Sequence, residues 1–121
     1  MKFCWTTLHV KNMEESLKFY QEIVGLPLIR QNKMSPEFEL AFLGSGETQV
    51  ELIYDQSKEL DYKNNTISMG FLTNSLDEFM AEIDKKGIPI FAGPIQPNPT
   101  IRFLYILDPN GIKVQFIEFI S

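Results

Sequence analysis

The segment Gly25-Leu26-Pro27-Leu28-Ile29 returns in the second half of the chain as Gly87-Ile88-Pro89-Ile90-Phe91. Each copy follows a stretch with the apolar spacing of a helix, and a second pair of related segments, VELI at 50–53 and VQFI at 114–117, lies further on. The copies are separated by about 62 to 64 residues, about half of the chain. A repeat of this length indicates one supersecondary unit used twice, with each copy burying the apolar face of the other.

The composition is that of one folded domain. The chain has 121 residues, 44% of them hydrophobic, which is enough for a sizeable core. The net charge is −5 and the basic residues are scattered, which argues against nucleic-acid and anionic-membrane partners. No apolar run has the length of a membrane span, and no secretory signal pattern opens the chain. Because the single cysteine, Cys4, has no internal partner, we expect a cytoplasmic protein.

Hydrophobic periodicity predicts the same element order, strand, helix and three strands, in both halves. In module one, residues 1–57, we predict strands at 3–10, 26–31, 37–43 and 49–54, with a helix running from Asn12 to Gly25. In module two, residues 65–121, we predict strands at 66–73, 88–91, 101–107 and 112–119, with a helix at 76–86. Residues 92–99 are predicted to be a loop because they include three prolines. A polar linker is expected to join the modules within one domain, 1–121.

Several short motifs, taken in order and at their spacing, carry a resemblance to a known family. They are Ser16-Leu17-Lys18-Phe19-Tyr20 with Gly25-Leu26, Ser75-Leu76-Asp77 with Lys86-Gly87, and Asp108-Pro109-Asn110-Gly111. With them the chain resembles the vicinal oxygen chelate superfamily, which includes glyoxalases, ring-cleaving dioxygenases and bleomycin-resistance proteins. The resemblance implies an α+β fold, in which two βαβββ modules form curved mixed sheets that enclose a cleft.

The resemblance also identifies the positions of four metal ligands, which metal-dependent members fill mostly with His and Glu. In this chain those positions are Trp5, Glu51, Ser68 and Gln115. Only Glu51 is a typical ligand, since an indole nitrogen is a donor only and a serine hydroxyl is a poor ligand for a transition metal. The chain has a single histidine, His9, at a position where glyoxalases carry a basic residue that recognises the substrate. We therefore expect no metal and no other cofactor.

Aromatic side chains dominate the face that the resemblance turns toward the cleft. Aromatic walls with a few polar groups are typical of small-molecule pockets, although aromatic residues at strand spacing are more often core. The predicted ligand-binding residues are Trp5, His9, Phe38, Phe42, Glu51, Ser68, Phe103, Tyr105 and Gln115. Among these, Glu51 stands out as a carboxylate on a mostly apolar wall. It is predicted to be an inert hydrogen-bonded residue, a ligand anchor, or a general acid or base.

Three functions follow from this set of residues. The favoured hypothesis is a metal-free homodimer of the bleomycin-resistance type that holds a planar or aromatic organic molecule without transforming it. The second is a lyase or isomerase that uses Glu51 as its general acid or base. The third is an interaction module whose cleft is closed. The sequence leaves the identity of the ligand open.

Overall fold

The computed structural model describes residues 1–60 and 66–121, and the chain divides into two compact units, Met1–Asp61 and Tyr62–Ser121. Each unit has one four-stranded sheet and one α-helix in the order βαβββ. The α+β fold with two such modules is confirmed. The last part of the predicted linker, residues 61–65, and with it the first residue of module two, lie outside the described residues. The cleft between modules, the single domain and the homodimer stay predictions.

The sheet of the first unit contains strands β1 (Trp5–His9), β2 (Leu28–Ser35), β3 (Phe38–Leu43) and β4 (Gln49–Asp55). Their order is β1-β4-β3-β2, so β1 lies beside the last strand of its own unit. The β1 and β4 strands are parallel, whereas the other two pairs are antiparallel. The sheet is therefore mixed, and its register brings residues from all four strands into rows.

The sheet of the second unit contains β5 (Ser68–Leu72), β6 (Ala92–Asn98), β7 (Ile101–Leu107) and β8 (Lys113–Phe119). The order β5-β8-β7-β6 repeats that of the first sheet, with one parallel and two antiparallel pairs. Asp108 closes the turn before β8 by accepting hydrogen bonds from the backbone N–H groups of Asn110 and Ile112, both at 2.8 Å. This confirms the hairpin that the Asp-Pro-Asn-Gly motif predicts.

Helix α1 (Met13–Lys18) begins where Asn12 accepts a hydrogen bond from the Glu15 N–H, at 2.9 Å, and continues into a π-helical turn, Phe19–Ile23. Gly25 follows with a φ of 84°, a conformation that glycine adopts without strain. The apolar side chains Met13, Phe19 and Tyr20 are buried. One face of the sheet, which carries Leu8, Ala41, Leu43 and Leu52, is therefore buried in the core, and the other face is available for chemistry.

Helix α2 (Leu76–Lys85) begins in the same way, because Ser75 accepts a hydrogen bond from the Glu78 N–H at 3.2 Å. Glu118 of β8 accepts a second one from the Leu76 N–H at 2.7 Å. A carboxylate at this end of a helix also complements the helix dipole. None of the helices in residues 1–60 and 66–121 has the length and apolar character needed to cross a membrane.

The segment between α2 and β7 differs from its prediction. Residues 88–91 are not a strand, and strand β6 spans most of the predicted proline-rich loop. The reason is its place in the sheet, since β6 is an edge strand and its pairing with β7 shifts register twice. Pro94 and Pro97 lie in this irregular edge, where a strand residue without an N–H donor is tolerated.

Candidate active site

One row of residues crosses all four strands of the first sheet. Thr7 of β1 pairs with Glu51 of β4, Glu51 pairs with Phe42 of β3, and Phe42 pairs with Arg30 of β2. Paired residues point to the same side of a sheet. The row therefore presents a hydroxyl, a carboxylate, an aromatic ring and a guanidinium on the face opposite α1.

Glu51 is the chemical centre of this row. Its side chain is only 8% exposed, and its Oε1 atom accepts a hydrogen bond of 2.7 Å from the Thr7 hydroxyl. In the described part of the chain, no fully buried side-chain oxygen or nitrogen lacks a partner. Because Oε2 accepts no hydrogen bond from a described residue, this oxygen is not fully buried. Glu51 is thus held through one oxygen and open to a ligand through the other.

Trp5 and Phe42 form an aromatic wall beside the carboxylate. Their ring centroids are 5.2 Å apart, and the planes meet at 81°, an edge-to-face contact. Phe42 is 5% exposed, whereas Trp5 is 47% exposed. The indole N–H of Trp5 has no hydrogen-bond partner among residues 1–60 and 66–121. A half-exposed donor therefore lies on the same face as Glu51.

The other predicted residues of the first sheet lie toward one end of this face. His9 is at the end of β1, exposed, and pairs with Ile53. Phe38 is at the start of β3, half-buried, and pairs with Asp55. The first sheet thus brings five predicted residues, Trp5, His9, Phe38, Phe42 and Glu51, to one face.

The four remaining predicted residues lie on the second sheet. Gln115 of β8 pairs with Gly70 of β5 and with Tyr105 of β7, and the Tyr105 ring meets Phe103 edge-on at 5.9 Å. Ser68 is exposed at the start of β5 and pairs with Lys113. The amide of Gln115 has no hydrogen-bond partner in the described part of the chain. This row repeats the pairing of the first one, with an amide at Gln115 where the first row has the Glu51 carboxylate.

A separate cavity lies between α1 and strands β2 and β3. Its volume is about 650 Å³, and Gln31 and Glu39 line it together with residues of the helix. The Gln31 amide donates to a Glu39 carboxylate oxygen at 2.5 Å, so both side chains lie on the helix side of the sheet. This cavity therefore does not contain the candidate site, because the Glu51 carboxylate is on the opposite face of the sheet.

Two residues of the row were not among the predicted site residues. Thr7 lies on the predicted inward face, but nothing in its sequence neighbourhood marks it as the partner of Glu51. The sheet face on which Arg30 lies could not be predicted from the sequence, because the register between β2 and β3 shifts between Leu28 and Arg30. This shift turns Arg30 to the opposite face from the one that simple alternation from Leu28 predicts. The sequence carries no signal for this shift, which becomes visible only in the pairing of Arg30 with Phe42.

Comparison with known proteins identifies the family. Residues 2–116 match the model of the Glyoxalase/Bleomycin resistance protein/Dioxygenase superfamily. The chain belongs to this superfamily. A solved glyoxalase family protein from Bacillus cereus has the same fold, with a TM-score of 0.86 and 17% sequence identity over 100% of this chain and 95% of that one. The resemblance drawn from the short motifs is confirmed.

Curated relatives in this superfamily are enzymes. A lactoylglutathione lyase from Neisseria meningitidis serogroup A is 32% identical over 127 residues, covering 98% of this chain and 91% of that protein. One from Haemophilus influenzae is 29% identical over 127 residues, covering 98% of this chain and 93% of that protein. The prediction of a metal-free binding protein is therefore wrong. That prediction gave more weight to the absence of histidine at the ligand positions than to the presence of Glu51.

The chain does not retain the metal-donor set that the resemblance implies for the superfamily. Of the four ligand positions, Glu51 alone supplies a carboxylate, and the Thr7 hydroxyl already occupies one of its oxygens. Trp5 offers an N–H donor and no lone pair. Residues 1–60 and 66–121 bring no three His, Cys, Asp or Glu side chains together in a metal-binding group. These donors do not fit a first-row transition metal.

Proposed function

We propose that this chain is a lyase- or isomerase-type enzyme, in which Glu51 moves a proton to or from a carbon beside a carbonyl group. The observation that carries the proposal is the state of the Glu51 carboxylate. It is 8% exposed, fixed by Thr7 at 2.7 Å, and has a second oxygen that is not fully buried and accepts no hydrogen bond from a described residue. A general base needs this combination, because it must be positioned and must also reach the substrate.

The proposed substrate class follows from the relatives, which are named lactoylglutathione lyases. Lactoylglutathione is a thioester of a 2-hydroxy acid with a peptide thiol. A lyase releases the thiol from it without water, so the second product is a 2-oxoaldehyde. The reaction is balanced as an isomerisation between the thioester and the thiol adduct of that aldehyde, followed by release of the thiol.

In the direction that forms the thioester, Glu51 takes the proton from the carbon that bears sulfur and hydroxyl. The electron pair of that C–H bond forms an enediol with the neighbouring carbonyl. Glu51 then returns the proton to the neighbouring carbon, while a proton moves between the two oxygens. The Trp5 N–H is available to donate a hydrogen bond to the oxygen on which negative charge develops. Thr7 holds the carboxylate throughout.

The test mixes 2-oxopropanal with glutathione and follows thioester formation by its ultraviolet absorbance. Wild-type protein should turn over the adduct, and Glu51→Gln should lose roughly 10²–10⁴-fold in kcat, the usual contribution of a general base. Glu47→Gln is the matched control, since it removes an exposed carboxylate of the same unit and should keep wild-type kcat.

Two results would contradict the proposal. One is a Glu51→Gln variant that is folded and retains more than a tenth of wild-type kcat. The other is a wild-type protein without turnover, both as purified and after incubation with Zn²⁺, Ni²⁺ or Mn²⁺.

A further inference from the structure

We propose that Arg30 binds a carboxylate of the substrate and thereby selects an anionic thiol. This inference rests on the proposed function, since it places the reacting carbon beside Glu51. Arg30 and Glu51 are joined by the register of the first sheet, in which each pairs with Phe42. The cation and the proposed base therefore belong to one row on one face.

Phe42 fixes the position of the guanidinium. The central carbon of the Arg30 guanidinium lies over the Phe42 ring, 4.4 Å from its centroid. This contact orders a long side chain that would otherwise be mobile on an exposed strand. Because the ring contact uses no hydrogen bond of the guanidinium, its N–H groups are left to bind a ligand.

Those N–H groups have no acidic partner in the described part of the chain. Neither the Lys86–Glu82 nor the Arg102–Asp77 ion pair involves Arg30. A carboxylate matches the planar fork of a guanidinium through two parallel hydrogen bonds. The protein as a whole carries a net charge of −5, so a carboxylate ligand needs a local cation of this kind.

The separation within the row suits a peptide thiol. Two strand spacings lie between Arg30 and Glu51, so their Cα atoms are roughly 10 Å apart. The two carboxylates of glutathione lie several bonds away from its sulfur, a distance of the same order. A substrate with its reacting carbon at Glu51 can therefore extend across Phe42 and reach Arg30 with a carboxylate. A small uncharged thiol cannot make this contact.

The experiment measures binding without turnover. Calorimetry compares S-methylglutathione, which cannot react, with its dimethyl ester, which lacks the carboxylate charges. Wild-type protein should bind the acid roughly 10- to 100-fold more tightly than the ester, the usual contribution of a hydrogen bond to a charged group. Arg30→Gln should bind both with nearly equal affinity. Lys33→Gln is the matched control, because Lys33 pairs with Glu39 on the helix side of the same strand, and it should keep the wild-type preference.

Equal affinity of the wild type for acid and ester would overturn the proposal, as would binding of neither. A preference that survives in Arg30→Gln would overturn it too. Arg30→Lys provides a second variant that keeps the charge and loses the fork, and it should retain only part of the preference. The outcome is independent of Glu51, because a protein that prefers the acid and shows no turnover would contradict the proposed function alone.

Discussion

The two sheets carry corresponding rows with different chemistry. In the first sheet the row is Thr7, Glu51, Phe42 and Arg30. In the second sheet the residues with the same pairing are Gly70, Gln115, Tyr105 and Ala92. The hydroxyl, carboxylate and guanidinium of the first row thus correspond to a hydrogen atom, an amide and a methyl group at the matching positions of the second row.

This difference shows that the internal repeat preserves the pairing of the strands but not the chemical groups of the side chains in the two rows. Strand register depends on backbone hydrogen bonds and on the buried face, so residues on the other face can change without loss of the fold. Gly70 illustrates the change, because a Cβ atom there would lie 3.3 Å from Oε1 of Gln115 and 3.2 Å from Cδ1 of Ile117. Thr7 donates a hydrogen bond to Glu51, whereas the corresponding Gly70 only leaves space for the Gln115 side chain.

The strongest test of this comparison exchanges the two central residues. We expect the double variant Glu51→Gln with Gln115→Glu to stay at least roughly 100-fold below wild-type kcat, the lower bound for loss of a general base. The carboxylate moved to position 115 would lie beside Gly70, which has no hydroxyl, and in a row that ends at Ala92. Steady-state kinetics with the glutathione adduct measures the effect. Gln115→Glu alone is the control for folding.

Recovery of turnover in the double variant would contradict the proposed difference between the two rows, since it would mean that they are interchangeable. A loss in Gln115→Glu equal to that of Glu51→Gln would also argue against it, because the second row would then be as important for the chemistry as the first.

Most of the fold could be predicted from the sequence, because helix caps and apolar periodicity are local signals. Asn12 caps the first helix where the sequence predicts its start, Ser75 caps the second, and the motif at Asp108 forms its turn. Strand β6 could not be predicted, because its place at the sheet edge depends on the tertiary arrangement. Pro94 and Pro97 argue against a central strand, and the sequence does not tell which strand is at the edge.

The site was predicted in part for a similar reason. The resemblance indicates Trp5 and Glu51, and alternation along β1, β3 and β4, which have no register shift in their pairing with one another, adds Phe42 to the same face. Arg30 depends on the bulge that follows Leu28, and a bulge of one residue reverses the face of everything beyond it. The contact of Thr7 with Glu51 depends on pairing across 44 residues of sequence, which periodicity within one strand does not report.

A smaller effect is expected at the first strand of each sheet. Thr7→Val keeps the shape of the side chain and removes the donor to Glu51, so we expect a loss of about 1 kcal/mol in the free energy of unfolding. We also expect kcat to fall roughly tenfold, about the change that 1.4 kcal/mol produces. Gly70→Ala, the counterpart, should stay within about 1 kcal/mol of wild-type stability, because the atoms that its Cβ meets are the ends of two flexible side chains.

Urea denaturation and kinetics on both variants check these values. If Thr7→Val keeps full activity, the hydroxyl does not position the carboxylate. If Gly70→Ala loses as much activity as Thr7→Val, the second row takes part in the chemistry after all.

The smallest effect lies where the two sheets differ at the end of their last strands, at Asp55 in β4 and Phe119 in β8. The Ser57 hydroxyl donates to Asp55 at 2.7 Å and the Ser57 N–H donates at 3.0 Å, and these bonds hold the pKa of Asp55 below its ordinary value of 3.8. An acid whose pKa is lowered in the folded state stabilises the fold when the pH is above the ordinary pKa of that acid. The contribution is lost as the pH falls through the lowered pKa.

We expect Ser57→Ala to raise the pKa of Asp55 part of the way toward 3.8, because the backbone donor of residue 57 remains. The stability difference between this variant and the wild type should be present at neutral pH and should shrink as the pH falls below about 3.8. NMR titration of the Asp55 carboxyl carbon measures the pKa, and denaturation at neutral and acidic pH measures the difference. Ser45→Ala, in another exposed turn of the same unit, should change neither quantity. An unchanged Asp55 pKa in Ser57→Ala would mean that the hydroxyl contributes nothing and that the backbone N–H of residue 57 accounts for the lowering.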